Sequence, residues 1–275
     1  MLKDITFGQY YQSSSLIHKA DPRIKIILTI AQIVFVFIAK NAVSIGIMLA
    51  TLILSMVLST VPFKMYLKNL KAIIPILLLT LIFNLFYGSG NVILSFWIFK
   101  ITQEAIYRSV FLIVRIMILI MAGALLTYTT SPNDLTDAIE KLLSPLRFVG
   151  LKSAVHTLAM MMTIALRFIP TLVEETEKII NAQKARGADF ESGSLKNKIN
   201  ALIPILIPLL ISAIRRAYEL AEAMECRCYN GCEGRVRMKR FHLSLIDLSA
   251  VLFLMAIYTS VIFSNIYLSN ILWSF

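Results

Sequence analysis

Thr171-Leu-Val-Glu-Glu-Thr-Glu-Lys-Ile-Ile-Asn-Ala-Gln-Lys-Ala-Arg-Gly187 and Ile214-Arg-Arg-Ala-Tyr-Glu-Leu-Ala-Glu-Ala-Met-Glu-Cys-Arg-Cys228 share one construction. In the first, Leu172, Thr176, Ile179, Ile180 and Gln183 recur at three- and four-residue spacing and lead to Arg186. In the second, Leu210, Ile214, Ala217, Leu220, Ala221 and Met224 make the stripe, and Arg227 continues it. That spacing puts each set on one face of an α-helix. Glu174, Glu175, Lys178, Asn181 and Lys184 take the rest of the first helix, with Glu174 and Lys178 a favourable i,i+4 pair. Arg215, Glu219 and Glu222 line the far side of the second. A cation at a helix C-terminus complements the dipole by about 0.3–1 kcal/mol, and that alone would account for either arginine. The planar guanidinium also suits a carboxylate in a partner's pocket. Two such ends, 41 residues apart, favour this second reading.

The rest of the chain belongs to a membrane. It is 58% apolar and 16% charged, where a soluble domain carries about 25% charged residues. The net charge of +11 would suit nucleic acid, anionic lipid or an acidic protein. The long uncharged runs exclude nucleic acid and leave the lipid bilayer and protein partners. Cys226, Cys228 and Cys232 fall within seven residues, so no disulfide closes a long loop. No secretory signal is expected, since the first apolar run begins near Ile24, after Asp4 and Asp21.

Five spans are expected. Pro22 opens a run, Ile24–Ala39, whose 16 residues reach about 24 Å, so Lys25 and Lys40 would snorkel at its ends. Ala42–Val61 supplies 20 uncharged residues, and Pro62 then opens a turn with Lys64, Lys68 and Lys71. Ala72–Tyr87 is the third span, with Pro75 in its first turn. Residues 88–107 form a connection with Gly88 and Gly90, whose apolar Val92–Phe99 is too short to cross and is expected at the interface. Ser109–Tyr128, containing Arg115, and Leu248–Leu268 complete the set. Between the last two, Ser131-Pro132-Asn133-Asp134 is a helix start followed by amphipathic Leu135–Leu143. Ser153–Ala185 is a long helix interrupted by Pro170, of which Ala154–Leu166 is apolar enough to dip into the bilayer. Gly187–Asn197 reads as a polar loop, and Ala201–Cys226 as a helix with Pro204 and Pro208 near its start. Gly234 and the basic run Arg235–Arg240 lead into the last span. The resulting organisation is 1–129 (transmembrane), 130–243 (two long helices and their connections) and 244–275 (final span).

Lys and Arg number four in residues 1–25, three in 62–71 and sixteen in 130–243, whereas the other side holds Lys40, Lys100 and Arg108. The positive-inside rule puts the N-terminus and the 130–243 region in the cytoplasm. A lipid-metabolising membrane enzyme would need clustered acids or histidines at a membrane face. Here acids alternate with bases, and His18, His156 and His242 are scattered. A permease would need buried polar groups lining a pathway, and the spans show few. A metal held by Cys226, Cys228, Cys232 and His242 would need two separated ligand pairs, so no metal is expected. Arg115 is a functional candidate by its depth, or else snorkels at the outer end or pairs with Glu104 or a headgroup. Asp247 is expected at the interface.

At Ala185-Arg186-Gly187 and Cys226-Arg227-Cys228 the sequence resembles the transmembrane T component of energy-coupling factor (ECF) transporters, the vitamin-uptake class of ABC importers. His18-x-x-Asp21-Pro22-Arg23-x-Lys25, Ser131-Pro132-x-Asp134-Leu135 and Leu166-Arg167-Phe168-Ile169-Pro170 support the resemblance, which covers nearly the whole chain. It implies an all-α, non-catalytic scaffold of a multi-subunit complex in a prokaryotic cell membrane. Two ABC ATPase subunits, alike or different, would hold the six residues around Arg186 and Arg227. ATP and magnesium would reside on those subunits, with no cofactor on this chain. It also implies an exchangeable substrate-binding S subunit, for which Met160, Met161, Leu206, Leu210 and Ile214 are the contact candidates. Pro170, Pro204 and Pro208 are candidate bends. The second signature lacks the family's glycine, which removes an easy left-handed cap, so either the helix end at Arg227 or the pocket that receives it is expected to differ from the family's.

Overall fold

The polar-to-apolar switch at Asp21-Pro22 starts the first long helix as expected. In the computed structural model, which describes residues 10–86, 92–96, 99–145, 152–188, 195–231 and 244–267, a short helix α1 (Leu16–Lys19) precedes α2 (Pro22–Ile38). Asp21 caps α2 by accepting from the Arg23 amide, and Pro22 takes the first helical position. Then follow α3 (Ala42–Leu58), α4 (Phe63–Phe86), α5 (Gln103–Thr129) and α6 (Pro132–Leu142). Ser131 and Asp134 cap α6 reciprocally, the Asp134 amide donating to Ser131 Oγ at 3.2 Å and that hydroxyl donating to Asp134 Oδ2 at 2.9 Å. The chain continues through α7 (Lys152–Ala185), α8 (Leu195–Glu225) and α9 (Leu245–Tyr267).

Three boundaries differ from expectation. Lys64, Lys68 and Lys71 recur at helical spacing, so α4 begins at Phe63 and Pro75 lies inside the helix rather than in its first turn. Leu195, Ile199 and Leu202 extend the pattern of α8 backwards, which makes Pro204 and Pro208 internal too. The apolar connection is a two-stranded antiparallel hairpin, β1 (Val92–Phe96) and β2 (Phe99–Thr102), with Phe96 opposite Phe99. A short apolar run is ambiguous between helix and strand by periodicity alone. Gly88, Gly90, Cys232, Gly234, Arg235–Arg240 and His242 lie outside the described residues.

Among the described residues, four helices are long and apolar enough to cross a membrane: Phe63–Leu85, Gln103–Thr129, Ser153–Ala185 and Asp247–Tyr267, with Ala42–Leu58 a shorter apolar helix. α7 owes its place among them to its first half, where Arg167 is the lone Lys, Arg, Asp or Glu between Ser153 and Pro170. Phe37, Val57, Ile76, Phe83 and Phe263 are each at least 58% exposed. Such surface is matched to lipid rather than water.

The chain folds as two compact units, one built from Gly8–Ala138 and Lys239–Phe275 and the other within Ile139–Met238. In the first, α2, α3, α5 and α9 surround a core that includes Val36, Met48, Ile118 and Val261, and α4 packs along α5. The side chains of Tyr66 and Tyr128 meet edge-on in the same core, 5.2 Å between centroids.

Polar clasps close both ends of this bundle. At one end, Asp247 is 1% exposed and joins chain segments far apart in sequence. Its Oδ1 accepts from the Asp21 amide at 2.9 Å, and its Oδ2 from the Ser244 amide at 2.8 Å. Lys25 is buried beside it and donates to the carbonyls of Thr129 (2.9 Å) and His18 (3.2 Å). Lys25 does not snorkel, as its position in sequence suggested, and Asp247 is buried within the protein; each closes open backbone groups at helix ends. Burial holds the His18 imidazole on α1 below its ordinary pKa, although its contact with the Tyr11 carbonyl acts the other way. At the other end, Arg115 donates to the Ala39 carbonyl at 2.7 Å and lies over the Phe111 ring. Arg115 thus caps the C-terminus of α2 rather than pairing with Glu104. Asn265 donates to the Ile38 carbonyl and accepts from Ser44 and the Lys40 amide.

Asp247→Ala removes two charged acceptors and strands the Asp21 amide. We expect it to cost about 2–3 kcal/mol, with Asp247→Asn costing less. Thermal unfolding of the detergent-solubilised protein would read the difference, and equal melting of wild type and Asp247→Ala would remove the clasp's role.

Candidate functional site

α7 and α8 form the body of the second unit, and their register follows from two cross-links. Arg216 on α8 donates to Glu175 Oε2 on α7. Tyr229, just past α8, donates its hydroxyl to Met160 Sδ on α7 at 2.7 Å. One numbering rises while the other falls, so the helices run antiparallel. Ile164, Phe168 and Leu172 face Ala217, Leu220, Ala221 and Met224 across a cleft of about 310 Å3. The predicted stripe of α8 is therefore split. Its C-terminal half packs on α7, whereas Leu206 (58%), Leu210 (62%) and Ile214 (48%) stand exposed. Met161 is also exposed, while Met160 is half-buried and holds Tyr229.

The packing here is mainly apolar. Glu175 and Arg216 remain 24% and 31% exposed, which limits their ion pair to less than about 1 kcal/mol net. The pair fixes register more than it stabilises. His156, near the start of α7, meets Glu140 at 3.5 Å.

Both signature arginines end their helices in the same way. Ala185, Arg186, Gly187, Cys226, Arg227 and Cys228 are all exposed. At the end of α7, the Gly187 amide donates to Lys184 O (3.0 Å) and the Ala188 amide to Gln183 O (3.0 Å). At the end of α8, the Cys228 amide donates to Glu225 O (2.9 Å) and the Tyr229 amide to Met224 O (3.0 Å). These are two Schellman caps with identical spacing. Gly187 has φ +88° and Cys228 φ +52°, so the cysteine adopts the left-handed conformation that the glycine adopts without strain. The expected difference at Arg227 is thus absent from the backbone: two hydrogen bonds hold Cys228 where its Cβ resists. Among the described residues neither guanidinium has an ion-pair partner. The antiparallel packing sends the two tips to opposite ends of the pair, roughly 35 Å apart along α7 at 1.5 Å per residue.

Pro170 lies inside α7, and Pro204 and Pro208 inside α8. Each removes one intrahelical donor, so each is a point where its helix resists bending least. Sequence reasoning finds the arginines through their periodicity. It misses Glu175–Arg216 and Met160–Tyr229, because nothing local marks residues 41 and 69 positions apart as partners.

Fold and site together define a multi-pass membrane protein that presents a pair of arginine-tipped helices. The CbiQ family, described as cobalt transport protein, matches residues 13–238. The energy-coupling factor transporter transmembrane protein EcfT of Ruminiclostridium cellulolyticum is 51% identical over 249 residues, covering 90% of this chain and 92% of that protein. The protein of that name from Clostridium kluyveri is 49% identical over 92% of this chain and 93% of its own length. That from Bacillus subtilis is 41% identical over 92% and 98%. The chain therefore belongs to the CbiQ family and, within it, to the energy-coupling factor transporter transmembrane proteins.

The two caps make opposite predictions. Gly187→Ala forces a side chain into the left-handed region and should cost about 1 kcal/mol, whereas Cys228→Gly should gain about as much. Thermal unfolding of both variants measures this, and shifts of the same sign would contradict the shared cap.

Proposed function

We propose that the chain is the scaffold of an ATP-driven importer, gripping two ABC ATPase subunits through Arg186 and Arg227 and coupling them to a substrate-binding S subunit for a vitamin or other micronutrient. The observation that carries this reading is the repeated cap. Two helices of different sequence end in the same hydrogen-bond pattern, each with an exposed arginine before its left-handed residue. A purely structural role for these cations would not call for that duplication at opposite ends of one helix pair. Arginine's bidentate geometry suits carboxylate-lined grooves, and the spacing of the tips suits two separate sites. The charge distribution supports a cytoplasmic position for both tips and for the N-terminus. The exposed ridge of Leu206, Leu210 and Ile214 supports an apolar S-subunit contact. ATP and magnesium act on the partner subunits, and this chain performs no chemistry.

Replacing one arginine should weaken ATPase retention by about 2 kcal/mol, roughly thirtyfold, if its guanidinium is buried against a carboxylate in the complex. The Arg186→Ala, Arg227→Ala double variant should lose both co-purification with the ATPases and uptake in cells. Wild-type uptake by the double variant, at equal membrane abundance, would refute the assignment. In the same complex, cysteine pairs placed across Pro204 and Pro208 should cross-link at different rates with and without ATP. Equal rates would remove those prolines as a moving joint.

A further inference from the structure

The first unit contains a cavity of about 600 Å3 among α1, α2, α3, α5 and α9. It begins at the Asp247–Lys25–Thr129 clasp and runs along α9 to Tyr258, along α2 to Gln32 and along α5 to Ala122. The eleven helical steps from Asp247 to Tyr258 rise about 16 Å at 1.5 Å per residue. Half of a ~30 Å hydrocarbon core is about 15 Å. The cavity is thus one leaflet deep, with its charged end at the level where headgroups sit.

Its mouth is apolar. Leu54, Leu58 and Phe253 line it and are 43%, 44% and 51% exposed. Hydroxyls on its wall are turned away from the space. Thr29 donates to the Lys25 carbonyl, Thr51 to Met48 and Ser55 to Leu52, each at 2.7–2.8 Å. Gln32 donates to Thr51 Oγ1 and to the Met48 carbonyl. Tyr258 donates within the same group, to the Leu28 carbonyl or Gln32 Oε1. Ordered water needs two to four polar partners per molecule, and this wall offers few. An empty space of this size, in turn, would forfeit the packing that holds a bundle together. At the charged rim Lys25 Nζ already donates to the His18 and Thr129 carbonyls, so what the space itself offers a guest is its apolar wall.

We propose that this cavity binds one acyl chain of a phospholipid drawn from the adjacent leaflet, as a built-in lipid site of the bundle. The proposal rests on the chain's being membrane-embedded and is independent of the role given to the arginines. With the N-terminus in the cytoplasm, the leaflet is the cytoplasmic one.

The assembled transporter, reconstituted in vesicles containing a phosphatidylcholine with a mid-chain diazirine, would be irradiated and its peptides mapped. Label is expected on Leu28, Leu125 and Leu254 inside the cavity as well as on outward-facing Ile27. Ala122→Phe and Ala250→Phe fill the space from two different helices. Each should abolish the label on Leu28 and leave that on Ile27, which also reports that the variant is folded and inserted. Native mass spectrometry of the wild type should retain one lipid that both variants lose. Label confined to Ile27 and other outward residues, or a lipid complement unchanged by both fillings, would overturn the proposal in favour of a protein segment in the cavity.

Discussion

An apolar helix gains little by leaving lipid for another apolar helix, because the two environments are equally dry. Association inside a membrane therefore leans on close packing and on polar groups that have nowhere else to go. This constraint explains why the first bundle is clasped at its ends. Asp247, Lys25, Arg115 and Asn265 each bind backbone groups at a helix terminus. Those termini are where a helix has donors and acceptors left over. Removing Asp247 or Lys25 would leave a buried backbone group without its partner, which is costly.

The second unit follows a different rule. α7 and α8 pack on each other along one face and leave both charged residues and the apolar Leu206, Leu210 and Ile214 exposed. Their apolar cleft supplies adhesion, while Arg216–Glu175 and Tyr229–Met160 set the register. The consequence is a pair of helix ends that project rather than pack. A bundle needs its helix ends tied down, whereas these two are left exposed.

How much of this is legible in the sequence depends on distance along the chain. The caps at Asp21-Pro22 and Ser131-x-x-Asp134 can be read because donor and acceptor lie within three residues. The arginine tips can be read because a helical stripe aims at them. The bonds of Asp247 to the Asp21 amide and of Arg115 to the Ala39 carbonyl escape such reading because they join positions 226 and 76 apart. A charge near the end of a span looks alike whether it snorkels or caps a neighbour. The starts of α4 and α8 lie earlier than their prolines suggest, because both helices run through residues that ordinarily punctuate. The cap at Cys228 defies expectation for an energetic reason: a left-handed cysteine costs about 1 kcal/mol, and the two backbone hydrogen bonds it completes offset that.

The antiparallel crossing of α7 and α8 has a mechanical consequence. Taking the Glu175–Arg216 contact as a fulcrum, the arm to Arg186 is about 17 Å and the arm to Arg227 also about 17 Å. Because the two arms point in nearly opposite directions, a force along the line between the tips runs along the helices, and only a force across them turns the crossing angle. A rotation of about 10° would carry each tip roughly 3 Å on such an arm. That rotation costs the half-exposed ion pair little, but it parts the Tyr229–Met160 hydrogen bond beside the Arg227 tip. The helix pair is thus a balanced lever: a sideways displacement of α8 at Arg227 swings its opposite arm, which carries Leu206 and Leu210, by nearly the same distance.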